Sequence, residues 1–354
     1  MQTILVTGGA GFVGSRLAMG LKAHREGVRV VALDNLKRRG SELNLPRLRA
    51  AGVEFLFGDI RQPADLDEVG KIDLILECSA EPSVLAGYGG SPRYVIDTNL
   101  GGTINCLEVA RRHGAAFLFL STSRVYPIAP LAGLSLHESA TRFEVRGPQT
   151  IPGLSEAGIA ETFPLEGTRS MYGATKLASE LVLAEYLEMY DLRGLINRCG
   201  VLAGPWQMGK IDQGVVVLWL ARHVFGGALS YIGFGGHGKQ VRDMLHIDDL
   251  LDLVLHQIDH LDALSGKTFN VGGGLGVSAS LCELTTLCRE ITGVTLDLGS
   301  VAETRPADIP WYVTDNARIT AATGWTPKRD VTAILTDTHG WLRDHRDLLA
   351  SILG

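Results

Sequence analysis

Three glycines at a spacing of three, Gly8, Gly11 and Gly14 in TGGAGFVG, follow directly on the apolar run TILVT (3–7). They lead straight into the helical pattern SRLAMGLKAHRE. Strand, tight turn, helix is the order this spacing demands. Gly8 can take turn angles that side chains disfavour. Gly11 lets the backbone approach a pyrophosphate, and Gly14 lets helix and strand pack closely. The first N–H groups of the helix would then point at the anion, with Phe12 and Val13 of the glycine stretch also against the cofactor. A second signal lies twenty positions beyond Gly14, where Asp34 ends the run VRVVALD (28–34). A carboxylate there accepts from a ribose diol and repels a 2′-phosphate, which favours NAD over NADP. Lys37, Arg38 and Arg39 pull the other way, since a guanidinium can hold a 2′-phosphate.

The alternation continues through the first half. VEFLFGD (53–59), IDLILEC (72–78) and AAFLFLST (115–122) are apolar nearly throughout, as strands buried on both faces are. Helical stretches such as GTINCLEVARRHG separate them. The pattern predicts an α/β fold with a doubly wound parallel sheet. A polar segment at 127–170, rich in Pro, Gly, Ser and Glu, breaks it and reads as a long functional loop. The helix MYGATKLASELVLAEYLEMYDL and the strand GLINRCGV (194–201) follow. Then come a helix near 215–226, the strand LSYIGF, a helix from Asp248 to Leu261, and one from about 279 to 292 with Ser280 and Glu283 as a capping box. A last helix covers roughly 330–353. The expected division is 1–200 as a dinucleotide-binding domain, with parts of about 229–270 returning to it, and 201–354 as a smaller mixed substrate-binding domain.

Composition narrows the classes. The 354 residues are 45% hydrophobic, enough for a large core, and the net charge of -6 argues against nucleic acid or an anionic membrane as partner. The longest apolar run, VVVLWLA (215–221), is too short to span a bilayer. MQTILV reads as a strand and not as a signal peptide. Five cysteines form no CxxC pair and have no histidine cluster beside them. They read as reduced thiols of a cytoplasmic protein, with no structural metal site.

Tyr172 and Lys176 stand at i and i+4, on one helix face. A nearby ammonium favours the phenolate, so this tyrosine can serve as a base near neutral pH. The strand ending in STSRVY (121–126) would place Thr122 beside it, at the carboxyl edge of the sheet where ligands bind. His246 reads as a packed histidine, Cys199 as a buried thiol, and Asp248 and Asp249 as helix N-terminal residues.

Together these features resemble the extended short-chain dehydrogenase/reductase family over nearly the whole chain. The likeness includes GDI (58–60), SAEPS (79–83), TNLGGT (98–103), YGATK (172–176), RDMLHIDDL (242–250) and FNVGG (269–273). It implies a Rossmann fold and NAD held also by Asn35, by Asp59 and Ile60 at the adenine, and by Ser79 and Ala80. It implies that Asn99 orders the active site and that Thr122, Tyr172 and Lys176 are catalytic. It further implies a nucleotide-diphosphate sugar as substrate. Relatives pair through the helix at 101–113 and the one carrying Tyr172, which implies a homodimer.

Ser123 and Arg124 stand where the 4,6-dehydratases of that family carry an acid pair and the UDP-glucuronate decarboxylases a glutamate. An arginine cannot do a carboxylate's work. HESATRFE (137–144), GPWQMGKIDQGVVVLW (204–219) and GKQVRD (238–243) instead resemble the CDP-paratose (CDP-tyvelose) 2-epimerases. That resemblance implies inversion at C2 of a sugar by internal redox. Ser123, Arg124, Gln207, Asp212 and Gln213 would then contact the sugar, and Arg242 and Arg305 the diphosphate. Cys199, Gly200 and Val201 replace the stretch where many relatives carry an asparagine. Two alternatives stay open: a C4-epimerase or other redox enzyme on a UDP-, dTDP- or GDP-sugar, and a non-catalytic NAD-binding sensor. The intact Thr, Tyr and Lys set argues against the sensor.

Overall fold

A computed structural model describes residues 2–209 and 214–354. Its central sheet has seven strands: β1 (Thr3–Thr7), β2 (Arg29–Asp34), β3 (Glu54–Phe57), β4 (Leu74–Glu77), β5 (Ala116–Thr122), β6 (Gly194–Cys199) and β7 (Thr268–Val271). They run parallel in the order β7-β6-β5-β4-β1-β2-β3. The order reverses between β1 and β4, and there the carboxyl ends of Thr7 and Glu77 lie in register. Such a reversal opens a crevice for ligands. Every residue of β1, β4 and β5 is buried, as their apolar runs require. β3 departs from the expectation, with Phe57 68% exposed. It is the edge strand and has a neighbour on one side only.

Three helices frame this unit's site: α1 (Phe12–His24), α2 (Gly102–His113) and α3 (Met171–Met189). Cys106 and Leu107 of α2 and Leu183 of α3 join Leu5, Ile75, Phe117 and Phe119 in one apolar core. Each such fully buried side chain contributes about 1.5–3 kcal/mol.

Two compact units emerge from the contacts. The first comprises the chain up to Val125, Ser170–Arg198 and Leu250–Phe269; the second comprises Tyr126–Arg169, Cys199–Asp249 and Asn270–Gly354. These boundaries differ from a cut at 200. The segment at 126–169 goes with the second unit because it is more than a loop. It holds a helix, Ile128–Ala132, and two small hairpins, Leu136–Glu138 with Phe143–Val145 and Leu154–Ser155 with Gly158–Ile159. Ile159 donates its N–H to Val313 O at 2.8 Å and accepts from Asp315 N–H at 3.0 Å, pairing with the late chain.

In the second unit, Val241–His246 lies parallel to Val201–Ala203 and Trp311–Tyr312 and antiparallel to Ser278–Ser280, a mixed sheet. The expected capping box is present. Ser280 Oγ accepts from Glu283 N–H at 3.0 Å, and Glu283 Oε2 accepts from Ser280 N–H at 2.9 Å. The last helix is two, Val331–Asp344 and Arg346–Leu353, parted at His345.

Candidate active site

The glycine turn is built as a cradle. Gly8 has φ +62, and a Cβ there would lie 3.0 Å from the Ser79 backbone at the end of β4. A Cβ on Gly14 would stand 2.2 Å from Gly8 O, so its bareness makes room for the turn's own carbonyl. Gly9, which sequence reasoning passed over, brings the turn onto the sheet; its Cβ would meet Ala32 at 2.6 Å. A Cβ on Gly11 would meet only Gly8 O, at 3.1 Å, so its outer side is open. Half-buried Phe12 and Val13 begin α1, which has no side-chain cap and no acidic residue in its first turn. Its N–H groups are therefore left for an anion.

Asp34 holds the turn from the side. Its carboxylate accepts from Ala10 N–H at 3.1 Å and Leu36 N–H at 2.8 Å. Burial raises its pKa, and these bonds oppose the rise. Asn35 Nδ2 donates to Asp59 at 2.8 Å, and Arg61 pairs with Asp59 at 2.6 Å. Burial pulls Asp59 up, but the Arg61 side chain, its backbone N–H and Asn35 together bring it down to about 2. Ile60 is buried against Gly102, where a Cβ would come within 2.4 Å of it. Ser79 and Ala80 are half-buried just past β4, and Ser79 N–H donates to Thr7 Oγ1 at 3.4 Å. Lys37 lies over the Tyr94 ring, 3.1 Å from its centroid. An open cradle, a bare helix N-terminus and an acid at the end of β2 fit a dinucleotide.

Thr122 ends β5, and Ser123 and Arg124 form the half-buried turn after it. Arg124 N–H donates to Thr122 Oγ1 at 3.2 Å, which fixes the hydroxyl. α3 begins at Ser170, whose Oγ accepts from Gly173 N–H at 3.2 Å. Tyr172 is therefore the second residue of the helix, half-buried, and Lys176 follows one turn later with 1% of its surface exposed. One turn beyond, Glu180 accepts from Ser121 Oγ at 2.5 Å and pairs with Arg198 at 2.7 Å. These bonds tie α3 to β5 and β6 and so set the height of Tyr172 and Lys176 over the sheet. Sequence reasoning missed Ser121, Glu180 and Arg198, although Glu180 continues the spacing of four. Asn99 sits in a π-turn, Asp97–Gly101, fully buried. It accepts from Glu81 N–H at 2.7 Å and donates to Thr175 Oγ1 at 3.1 Å, joining the SAEPS turn to α3.

The remaining expected residues lie in the second unit. Arg242 donates to Asp308 at 2.8 Å and to Ile309 O at 2.7 Å. Arg305 is half-buried, and its carbonyl accepts from Asp308 N–H at 3.2 Å. Gln207 Nε2 donates to Leu202 O at 2.9 Å, while its Oε1 is buried without a partner among the described residues. Asp212 and Gln213 lie outside the described residues. The stretches HESATRFE and GKQVRD come together: Lys239 pairs with Glu138 at 2.8 Å, and Phe143 N–H donates to Lys239 O at 3.0 Å. Arg142 donates to Ser278 Oγ at 2.7 Å on the neighbouring strand. Asp248 and Asp249 stand in the first turn of the helix Ile247–Asp259, and Asp249 also accepts from Arg329 at 2.6 Å. His246 and Cys199 are buried, and none of the five cysteines is in a disulfide.

Residues 4–272 match the NAD dependent epimerase/dehydratase family. The chain is 30% identical to a CDP-paratose 2-epimerase of Salmonella typhi, over 92% of this chain and 94% of that one. It is 29% identical to a dTDP-glucose 4,6-dehydratase of Streptomyces antibioticus, over 98% and 93%. Among solved structures, the Thermus thermophilus UDP-glucose 4-epimerase in complex with NAD is similar with a TM-score of 0.76 at 27% identity, covering 97% of this chain and 99% of that one.

Proposed function

The chain belongs to the NAD dependent epimerase/dehydratase family, and within it we propose a nucleotide-sugar epimerase that inverts C2 of a CDP-hexose. The likeness to the Salmonella typhi CDP-paratose 2-epimerase over 92% of the chain carries this reading. The joining of HESATRFE and GKQVRD in one unit supports it.

Gly8, Gly11, Gly14 and the start of α1 would hold the pyrophosphate of NAD; Asp34, Asn35, Asp59, Ile60, Ser79 and Ala80 would hold the rest. Held there, NAD would supply a reversible hydride acceptor for the carbon being inverted, with no net consumption. Tyr172 removes the proton of the sugar hydroxyl, and Thr122 hydrogen-bonds the same oxygen. The Lys176 ammonium holds the Tyr172 phenol in reach of its ionised form. Arg242, steadied by Asp308, and Arg305 take the diphosphate. Ser123, Arg124, Gln207, Asp212 and Gln213 contact the sugar.

The likeness to the Thermus thermophilus UDP-glucose 4-epimerase favours a second reading, C4 inversion on a UDP-, dTDP- or GDP-sugar. Proton NMR of the purified enzyme with CDP-, UDP-, dTDP- and GDP-hexoses, without added cofactor, separates the two. C2 epimers from a CDP-sugar, with no net NADH, are expected. C4 epimers would replace the first reading with the second, and no product from any sugar would favour a sensor.

The same reading makes the enzyme a cytoplasmic homodimer joined through α2 and α3. Leu181 and Met189 on α3, and Tyr190 just after it, are exposed and suit that face. Sedimentation equilibrium should give twice the chain mass; a monomer at micromolar concentration would end that part of the proposal.

A further inference from the structure

One ionisable group beside Lys176 has no part in the mechanism above. Glu77, the last residue of β4, is 0% exposed, and its Oε2 lies 3.9 Å from Lys176 Nζ. Its Oε1 is buried with no hydrogen-bond partner among the described residues. Thr103 Oγ1 is 3.3 Å from Oε2 but only 2.6 Å from Asn99 O. A hydroxyl has one proton, and the carbonyl, which can only accept, takes it at the shorter distance. The contact with Glu77 is then completed only when the carboxyl supplies the proton, that is, when it is neutral. Lys176 Nζ sits 3.8 Å from the centroid of the Phe119 ring, away from bulk water.

We propose that Glu77 is a positioning residue for proton abstraction, acting through Lys176. When neutral it leaves the whole ammonium charge to act on Tyr172; when ionised it cancels part of that charge. The proposal rests on the reading of Tyr172 and Lys176 as base and partner. The titratable groups facing Glu77 are Lys176 from α3 and Cys106 from α2. β1 and β5 place Thr7 and Phe119 opposite it, neither of them ionising, and Cys78 beyond it directs its Sγ to Leu76 O at 3.8 Å. Burial pushes Glu77 up to about 7, with the Lys176 ammonium holding it from rising further. Burial, with Glu77 beside it, keeps the Cys106 thiol well above its usual range and neutral.

The test is the pH dependence of kcat for the wild-type holoenzyme and for Glu77→Gln, which keeps the shape and loses the charge. The wild-type carboxylate is ionised only above about 7; where the acidic limb reaches that range, removing the anion from beside Lys176 favours the Tyr172 phenolate, and the limb should move down by about half a pH unit or more. Thermal stability gives a second reading without turnover. The folded-state pKa of Glu77 lies above its usual value of 4.5, so the folded protein binds the extra proton between the two. Wild-type stability relative to Glu77→Gln should therefore fall as pH rises through that window. If the amide does not fold there, Glu77→Met carries the same two expectations. A lower kcat with an unmoved limb would mean a structural role only and would overturn the proposal. So would a stability difference that does not change with pH. A Tyr172→Phe enzyme that still turns over would remove the underlying reading and this proposal with it. An inert Tyr172→Phe enzyme beside an unmoved limb in Glu77→Gln would remove this proposal alone.

Discussion

Tyr172→Phe should lower kcat by about a thousandfold while the protein still purifies with NAD, because a positioned acid–base group is worth roughly 10²–10⁴ in rate. The ring stays where it is: the Ser170 cap and the ties of Glu180 to Ser121 and Arg198 hold α3, and none of them uses the phenol. The cradle at Gly8–Gly14 lies on other elements and is untouched. The measurement is turnover by NMR together with nucleotide released on denaturation. Activity within tenfold of wild type would mean that another group takes the proton. Loss of NAD along with activity would mean that Tyr172 holds the cofactor and that its role as base is not demonstrated.

Arg198→Met should cost about 3–5 kcal/mol of stability, since it leaves Glu180 as a buried carboxylate without its cation. The two side chains are 7% and 4% exposed and 2.7 Å apart, too deep for water to take the guanidinium's place. The double variant Arg198→Met, Glu180→Leu should recover most of that loss, because a well-packed apolar pair often replaces a buried ion pair at little cost. Its turnover should remain low, since the bond from Ser121 to Glu180 is gone and α3 has lost its tether to β5. Urea denaturation of the single and double variants checks this. A double variant as unstable as Arg198→Met would show that the loss comes from packing around β6 and not from a stranded charge.

Much of the first unit was legible because it is written in local patterns. β1, β2, β4 and β5 end within two residues of their apolar runs, and α1 follows the glycine turn as the spacing requires. Tyr172 and Lys176 share a face because a helix places i and i+4 together wherever it lies. The segment at 127–170 misled for the same reason. Its strands are two or three residues long, too short to show an alternation. They pair in short hairpins that distant chain holds at Phe143 and Ile159, and no periodicity of their own announces them. β3 was read as buried because an edge strand and a central one can share an apolar run.

The sequence by itself determined that a turn of bare backbone stands between β1 and α1, that an acid ends β2, and that a tyrosine and a lysine share one helix face. Each depends on residues a few positions apart, held by the geometry of one element. Only the tertiary structure decided that Gly14 yields to the carbonyl of Gly8, that Asp34 grips the glycine turn, and that Glu180 pins α3 through Ser121 and Arg198. Only it set Glu77 against Lys176 away from the surface. Apart from the two glycines, these partners are far apart in the chain. Their charges and hydrogen bonds matter because folding removes the solvent that would otherwise have answered them.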